Sequence, residues 1–166
     1  MSGINVKNFD TLDQTITDFK KATLSEFSER WGEYSKINMS KVFSFVMVGS
    51  NDFKKSSEFY DVIFKPLNLK KIVTTERYVG YSHLNEPTEV KFYITKPQNG
   101  EPATYGNGTM IAFLVETREI VNKFHEIAIS NGATDEGLPG VREDGNYYAY
   151  VRDFDGNKIA AKCISN

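Results

Sequence analysis

Residues 43–60 read FSFVMVGSNDFKKSSEFY, and residues 106–125 read GNGTMIAFLVETREIVNKFH. Each stretch begins with an apolar run, continues through a polar break and ends in a pattern with helical spacing. At a constant separation of 65 residues, Phe45 matches Met110. The sequence therefore predicts one supersecondary unit that occurs twice, in which each copy is too small to bury its own apolar face.

The first copy is predicted as a strand, a helix and three further strands. The opening strand ends at Gly49, and the polar residues that follow it are good helix caps. The helix must stop before Pro66, because a residue that precedes proline disfavours helical geometry. Three valine- and tyrosine-rich runs then predict strands over 69–75, 77–83 and 89–96.

The second copy repeats that order. It has a predicted strand over 109–116, a helix capped by Thr117 and closed at Gly132, and a weak strand near 133–136. Strands over 146–153 and 157–163 follow, and the turn between them contains Asp155-Gly156. We therefore predict an α+β fold of two βαβββ modules, about 42–97 and 107–164, which share one cleft.

Residues 1–40 are predicted to be a helical extension of the domain that occupies 41–166. The segment TLDQ is a capping box, and apolar residues recur on one face of a helix over about 11–31. This face contains Leu12, Ile16, Phe19, Phe27 and Trp31. The stripe either packs on its own domain or covers a second subunit, so a homodimer is one of the two expectations.

The composition excludes several function classes. The 166 residues carry a net charge of −2, which gives no sign of a nucleic-acid-binding surface. No apolar run reaches membrane-spanning length, and one cysteine, Cys163, allows neither an internal disulfide nor a thiolate zinc cluster. The first residues lack a signal-peptide pattern, so we expect a cytoplasmic protein with no membrane or nucleic-acid partner.

Three stretches together resemble the glyoxalase, bleomycin-resistance and dioxygenase superfamily, also called vicinal oxygen chelate proteins. They begin VGSNDFKKSSEFYDVIF at Val48, YGNGTMIAFLVETREIV at Tyr105 and NYYAYVRDFDGNKIAA at Asn146. The likeness covers about 42–164 and is strongest to small unassigned bacterial members. It implies paired βαβββ modules, in agreement with the internal repeat.

The resemblance also implies where a metal would bind. Ligands in the metalloenzymes of this superfamily come from the first and last strand of each module, usually histidine or glutamate. The matching positions here are Phe45, Tyr93, Met110 and Ala160, the second of them by the internal repeat. None of them is an ordinary ligand of Zn²⁺, Ni²⁺ or Fe²⁺, so we expect neither metal nor cofactor.

Candidates for acid–base chemistry are few. His83 follows a predicted strand near the mouth of the cleft, and Tyr93 lies within the cleft, so these two are weak catalytic candidates beside an unspecified lysine. His125, next to the apolar Phe124, is predicted to be a partly exposed histidine on the second helix.

Two functions remain open. The first is a metal-independent protein that binds a small organic ligand, as drug-sequestering members of the superfamily do. Because side chains alternate along a strand, its predicted ligand-binding residues are Phe45, Met47, Tyr93, Met110, Ala112, Ala160, Lys91 and Lys158. The alternative is a lyase- or dioxygenase-like enzyme with a replaced active site.

Alternation also places Lys162 beside Ala160, on the same face as Lys91 and Lys158. These three lysines either favour a ligand with an anionic end or hold their ammonium groups in water while their stems cover apolar surface.

Overall fold

The computed structural model describes residues 43–164, and the predicted helix over 11–31 lies outside them. Eight strands and two helices follow one another in the described part, in the order strand, helix, three strands, repeated once. They are β1 (Val46–Gly49), α1 (Phe53–Ile63), β2 (Leu69–Thr74), β3 (Tyr78–His83), β4 (Phe92–Thr95), β5 (Ile111–Val115), α2 (Arg118–Ser130), β6 (Thr134–Val141), β7 (Tyr147–Arg152) and β8 (Lys158–Cys163). The predicted duplication is confirmed.

The two sheets have the same topology. The strand orders are β1-β4-β3-β2 and β5-β8-β7-β6. In each sheet the first and last strands of the module pair in parallel, and the remaining pairs are antiparallel. The parallel pair requires a crossover, and the helix of each module lies within it.

Local sequence explains both helices. The Asp52 side chain accepts a hydrogen bond from the Lys55 amide and caps α1, and Thr117 caps α2 in the same way through the Ile120 amide. Such caps satisfy amide groups that would otherwise lack partners at the first turn. Gly132, at φ +94°, follows α2 in the left-handed conformation that the sequence predicted.

The strand limits differ from the prediction at two places. The predicted strand over 89–96 is reduced to β4, because Ser82 Oγ donates to the carbonyls of Glu86 and Glu89 and holds the preceding segment in a loop. The weak strand near 133–136 extends as far as Val141 and includes Pro139. Since β6 is an edge strand of its sheet, one missing amide donor and two register shifts are tolerated there.

One apolar core joins the two modules. The ring of Phe113 on β5 lies 5.3 Å from that of Phe64, which follows α1, and 5.7 Å from that of Phe92 on β4. Phe59 contacts Phe154 at a ring distance of 5.0 Å. From Ser44 onward the described residues therefore form one compact unit.

Polar contacts fix the modules relative to each other at the β7–β8 turn. The buried Tyr60 hydroxyl donates to Asp153 Oδ2 at 2.8 Å. Asp155 accepts from the amide and side chain of Asn51 at 2.9 and 2.8 Å and from Ser56 Oγ at 3.2 Å. Burial raises the pKa of Asp153, although its hydrogen bonds from Asn157 and Tyr60 favour the ionised form.

His125 corrects one expectation. The sequence predicted a partly exposed histidine, but its residue is buried, and its Nε2 lies 2.9 Å from Asp135 Oδ1. The prediction was wrong because β6 begins directly after the turn that follows α2, and its second residue covers this position.

Candidate ligand-binding site

Each sheet has one face on the core, and we call the opposite face its open face. On the first sheet, Met47 lies beside Tyr93, and Tyr93 lies beside Gly80. The neighbouring positions Val48, Phe92 and Ile94 point into the core. The pairing therefore places the predicted residues Met47 and Tyr93 on the open face.

Aromatic side chains dominate the open face of the first sheet. The Tyr93 ring lies 5.1 Å from that of Phe45 and 5.6 Å from that of Tyr78, and both pairs meet edge to face. Phe45 and Met47 are each 50% exposed. A face of this kind offers ring edges and a thioether to solvent, which suits contact with a flat organic molecule.

Val90 covers the open face of the first sheet beside Gly80. A Cβ atom at Gly80 would lie 2.9 Å from a methyl group of Val90 and 3.0 Å from the Tyr93 ring. The loop after β3 therefore places Val90 directly over the strand.

The open face of the second sheet has a different composition. The central row consists of Ala112, Ala160 and Tyr150, which are partners on β5, β8 and β7. Met110 is 44% exposed, but Ala160 is fully buried. Ala160 can therefore form the floor of a site, but in this conformation it offers no surface to a ligand.

The two modules meet at a small cavity of about 140 Å³. Met47 lines it from the first module and Lys158 from the second, together with Val48, Gly49, Thr104, Tyr105, Gly106, Thr109, Ile111 and Asn157. The structure thus brings together two predicted ligand-binding residues that lie 111 positions apart in the chain.

The linker between the modules forms one wall of this cavity. Asn51 holds Ala103 through a pair of hydrogen bonds of 2.7 and 3.0 Å. A Cβ atom at Gly49 would lie 2.9 Å from the Ala103 methyl group, so the linker can approach β1 only because residue 49 is glycine. A wider depression of about 630 Å³ lies between the turn at 75–77 and the linker, and no predicted ligand-binding residue lines it.

All three lysines that were predicted near the cleft have carboxylate partners. Lys91 Nζ lies 2.6 Å from Glu89 and 3.6 Å from Glu86, and the hydrogen bond to Glu89 raises the pKa of Lys91. On β8, Lys158 lies 3.3 Å from Glu136, and Lys162 lies 3.8 Å from Asp144.

These acidic partners were not found from the sequence. Glu136 also accepts from Arg152 at 2.7 Å, and this bond and the one from Lys158 lower the pKa of Glu136. Hydrogen bonds from Asn146 and Tyr148 lower the pKa of Asp144 to about 2, so it is ionised at neutral pH. Only the pairing of β6, β7 and β8 brings Glu136 to Arg152 and Lys158 and brings Asp144 to Lys162, and local periodicity carries no sign of it.

The two catalytic candidates do not share a site. His83 alternates with Ser82 on β3 and falls on the same side as the core residue Tyr81, whereas Tyr93 is on the open face. His83 Nδ1 accepts from the Asn85 amide at 3.2 Å. A base at His83 is therefore separated by the sheet from a ligand that contacts Tyr93.

Comparison with known proteins agrees with this architecture. The profile of the glyoxalase/bleomycin resistance protein/dioxygenase superfamily matches residues 42–161. The chain belongs to this superfamily.

Solved structures show the same relationship. A glyoxalase/bleomycin resistance protein from Albidiferax ferrireducens T118 is 40% identical, with a TM-score of 0.68, over 75% of this chain and 100% of that chain. A glyoxalase/bleomycin resistance protein/dioxygenase family enzyme from Burkholderia phytofirmans PsJN is 22% identical, with a TM-score of 0.59, over 74% and 98%. The fosfomycin resistance protein FosX from Listeria monocytogenes is 17% identical, with a TM-score of 0.54, over 73% and 91%. The last two support the fold alone, and a search of curated proteins found no match.

The metal site of this superfamily does not fit the residues present. Phe45 and Ala160 have no donor atom, Met110 has a soft thioether, and the phenol of Tyr93 is a poor metal ligand in its neutral form. Within residues 43–164, no group of three or more His, Cys, Asp or Glu side chains is placed to hold a metal ion. No helix in that range is both long and apolar enough to cross a membrane.

Proposed function

We propose that this member of the superfamily binds a small, flat organic ligand on the open faces of its sheets, without a metal ion. One observation carries the proposal. The positions that match the superfamily's metal ligands hold apolar or aromatic residues, and three of them, Phe45, Tyr93 and Met110, are accessible on the open faces.

The composition of the first open face supports a ligand with an aromatic body. The Tyr93 ring meets the rings of Phe45 and Tyr78 edge to face, so these contacts fix its orientation. A planar molecule can therefore contact rings that are already ordered. Met47 adds a flexible thioether beside them and also lines the cavity between the modules.

The same residues argue against the superfamily's usual chemistry. A lyase or dioxygenase of this fold uses a metal to polarise substrate oxygens or activate O₂, and the donor set for that metal is lacking. Binding is therefore favoured over catalysis. The 40% identical relative from Albidiferax ferrireducens is described as a glyoxalase/bleomycin resistance protein. This description includes both an enzyme and a resistance protein, so it favours neither catalysis nor binding.

A binding screen tests the proposal. The untagged full-length chain is screened against flat aromatic compounds by thermal shift, and hits are measured by isothermal titration calorimetry with and without chelator. We expect hits whose affinity is insensitive to chelator and falls at least tenfold in Met47→Ala or Tyr93→Ala.

Ile129→Ala is the matched control, because it also removes an exposed apolar side chain but lies on α2. Equal loss of affinity in Ile129→Ala and Met47→Ala would contradict binding at the open face. Affinity that disappears with chelator would contradict the metal-free proposal. A second copy of the chain as partner and a cytoplasmic location both stay predictions.

A further inference from the structure

The open face of the second sheet contains a pair of stacked tyrosines. Tyr148 and Tyr150 are two residues apart on β7, with ring centroids 5.6 Å apart and planes inclined by 12°. Both rings are partly exposed, and their strand lies beside β8, where Lys158 and Lys162 flank Ala160. This pair gives the second open face an aromatic surface.

Three cationic groups lie over these two rings. Lys162 Nζ lies 5.2 Å from the centre of the Tyr148 ring, and Lys158 Nζ lies 5.0 Å from that of Tyr150. The guanidinium carbon of Arg142 lies 5.2 Å from the Tyr150 ring. Each distance is within the range in which a cation is attracted by an aromatic face.

Two glycines on β6 allow Arg142 and Tyr150 to lie there. A Cβ atom at Gly137 would be 2.9 Å from the Tyr150 ring, and one at Gly140 would be 2.9 Å from an Arg142 nitrogen. The Leu138 carbonyl accepts from Arg142 Nη2 at 2.6 Å and fixes the guanidinium over this strand. The two glycines therefore leave room on β6 for the Tyr150 ring and the Arg142 guanidinium.

The charges around the two tyrosines do not balance. Their cluster contains four cations, Arg142, Arg152, Lys158 and Lys162, and two carboxylates, Glu136 and Asp144. This cluster has an excess of two positive charges, although the whole chain has a net charge of −2. Within residues 43–164, the Arg142 guanidinium contacts two carbonyls and a ring but no carboxylate.

We propose that the second open face binds a planar aromatic molecule with an anionic group, of the class of aromatic carboxylates. The aromatic body lies against the exposed parts of Tyr148 and Tyr150, and the anion lies among Arg142, Lys158 and Lys162. The inference rests on the proposed function and adds the charge of the ligand to it. Charge complementarity selects this occupant, since a neutral or cationic molecule leaves the excess positive charge uncompensated.

Matched ligands separate this inference from the proposed function. The affinities of 2-naphthoate and its neutral amide are measured by calorimetry at low ionic strength and at about 0.15 M, where the Debye length is about 8 Å. We expect the acid to bind about tenfold more tightly at low salt, the gain expected of one charge-assisted contact. The preference should shrink at the higher salt concentration.

Variants locate the anion. Arg142→Gln should bring the affinity for the acid to within about threefold of that for the amide. Arg77→Gln is the control, because it removes the same charge from the turn before β3. It should preserve the preference for the acid.

Equal affinity for acid and amide in the parent protein would overturn the inference, and the proposed function would stand. The inference would also fall if Arg142→Gln and Arg77→Gln reduced the preference equally, because the effect would then be one of net charge. If neither the naphthalenes nor any other flat compound bound, the proposed function itself would fail.

Discussion

Removal of one hydroxyl group, in Tyr60→Phe, tests how the two modules are held together. The Tyr60 ring packs 5.0 Å from that of Phe64 and 5.2 Å from that of Phe92, and phenylalanine preserves these contacts. The substitution removes only the 2.8 Å hydrogen bond to Asp153 Oδ2, which joins α1 to the β7–β8 turn.

The expected cost follows from the charge of the acceptor. A hydrogen bond to a charged group contributes about 1.5–3 kcal/mol, and Asp153 Oδ2 keeps one partner, Asn157 Nδ2, at 2.8 Å. We therefore expect a loss of about 2 kcal/mol at pH 7. With a urea slope of about 2 kcal/mol per M, the unfolding midpoint falls by roughly 1 M.

The loss of stability in Tyr60→Phe depends on pH, because burial changes the pKa of Tyr60. Burial, reinforced by the Asp153 carboxylate, raises the pKa of Tyr60 well above its ordinary value of 10.0. Above pH 10 the unfolded chain releases this proton while the folded chain keeps it, so stability falls as the pH rises, by up to about 1.4 kcal/mol per unit. Phenylalanine has no proton to release, so the gap between parent and variant narrows above pH 10.

Urea unfolding followed by fluorescence from pH 7 to 11 measures both effects. Tyr93→Phe is the control, because no hydrogen bond of the Tyr93 hydroxyl occurs within residues 43–164, and its effect should stay within about 0.5 kcal/mol. A loss in Tyr60→Phe no larger than in this control, or a gap that stays constant above pH 10, would refute the argument.

Three further predictions use the same measurements. Gly156→Ala should cost at least about 1 kcal/mol more than Gly145→Ala, because both residues have positive φ but only at Gly156 would a Cβ atom collide with Tyr105; equal costs would show that Tyr105 moves freely. His125→Gln should lower stability at pH 7, and the difference should narrow as the pH falls below 3.8, because the hydrogen bond from His125 holds the pKa of Asp135 below that value; a difference that persists in acid would contradict this pairing. Addition of Zn²⁺, Ni²⁺ or Mn²⁺ should leave the melting temperature unchanged, and a saturable rise would show a metal site.

The duplication could be predicted from the sequence because both copies keep the same local signals. A cap, a helix of fixed apolar spacing and alternating strands recur 65 residues apart, and register follows from alternation once one face is buried. Alternation therefore predicted that Met47 and Tyr93 share one face, and the two residues are partners on β1 and β4. The C-terminal end of β6 could not be predicted, because Gly137 and Pro139 are turn signals that only an edge strand tolerates.

The charge pairs of the candidate site could not be predicted in this way. Glu136 and Asp144 lie on or after β6, and their lysine partners, Lys158 and Lys162, lie on β8, two strands away in the sheet. The same is true of Asp153, which the sequence placed at the end of a predicted strand but which also accepts a hydrogen bond from the Tyr60 hydroxyl of the other module. Contacts of this kind depend on how modules pack, and a local pattern contains no information on packing.

The two open faces have diverged in a way that would orient a ligand. Lys91, on the first sheet, is matched by two carboxylates, so the aromatic character of that face dominates. The second face keeps an excess of positive charge around Tyr150. Met47 and Lys158 line the same cavity, so on the proposed function a ligand that enters there meets a thioether from one module and an ammonium group from the other. A ligand whose aromatic body contacts Tyr148 and Tyr150 and whose anionic end lies among the cations of the second face would then turn its remaining apolar surface toward the first sheet, an asymmetry that two identical modules could not produce.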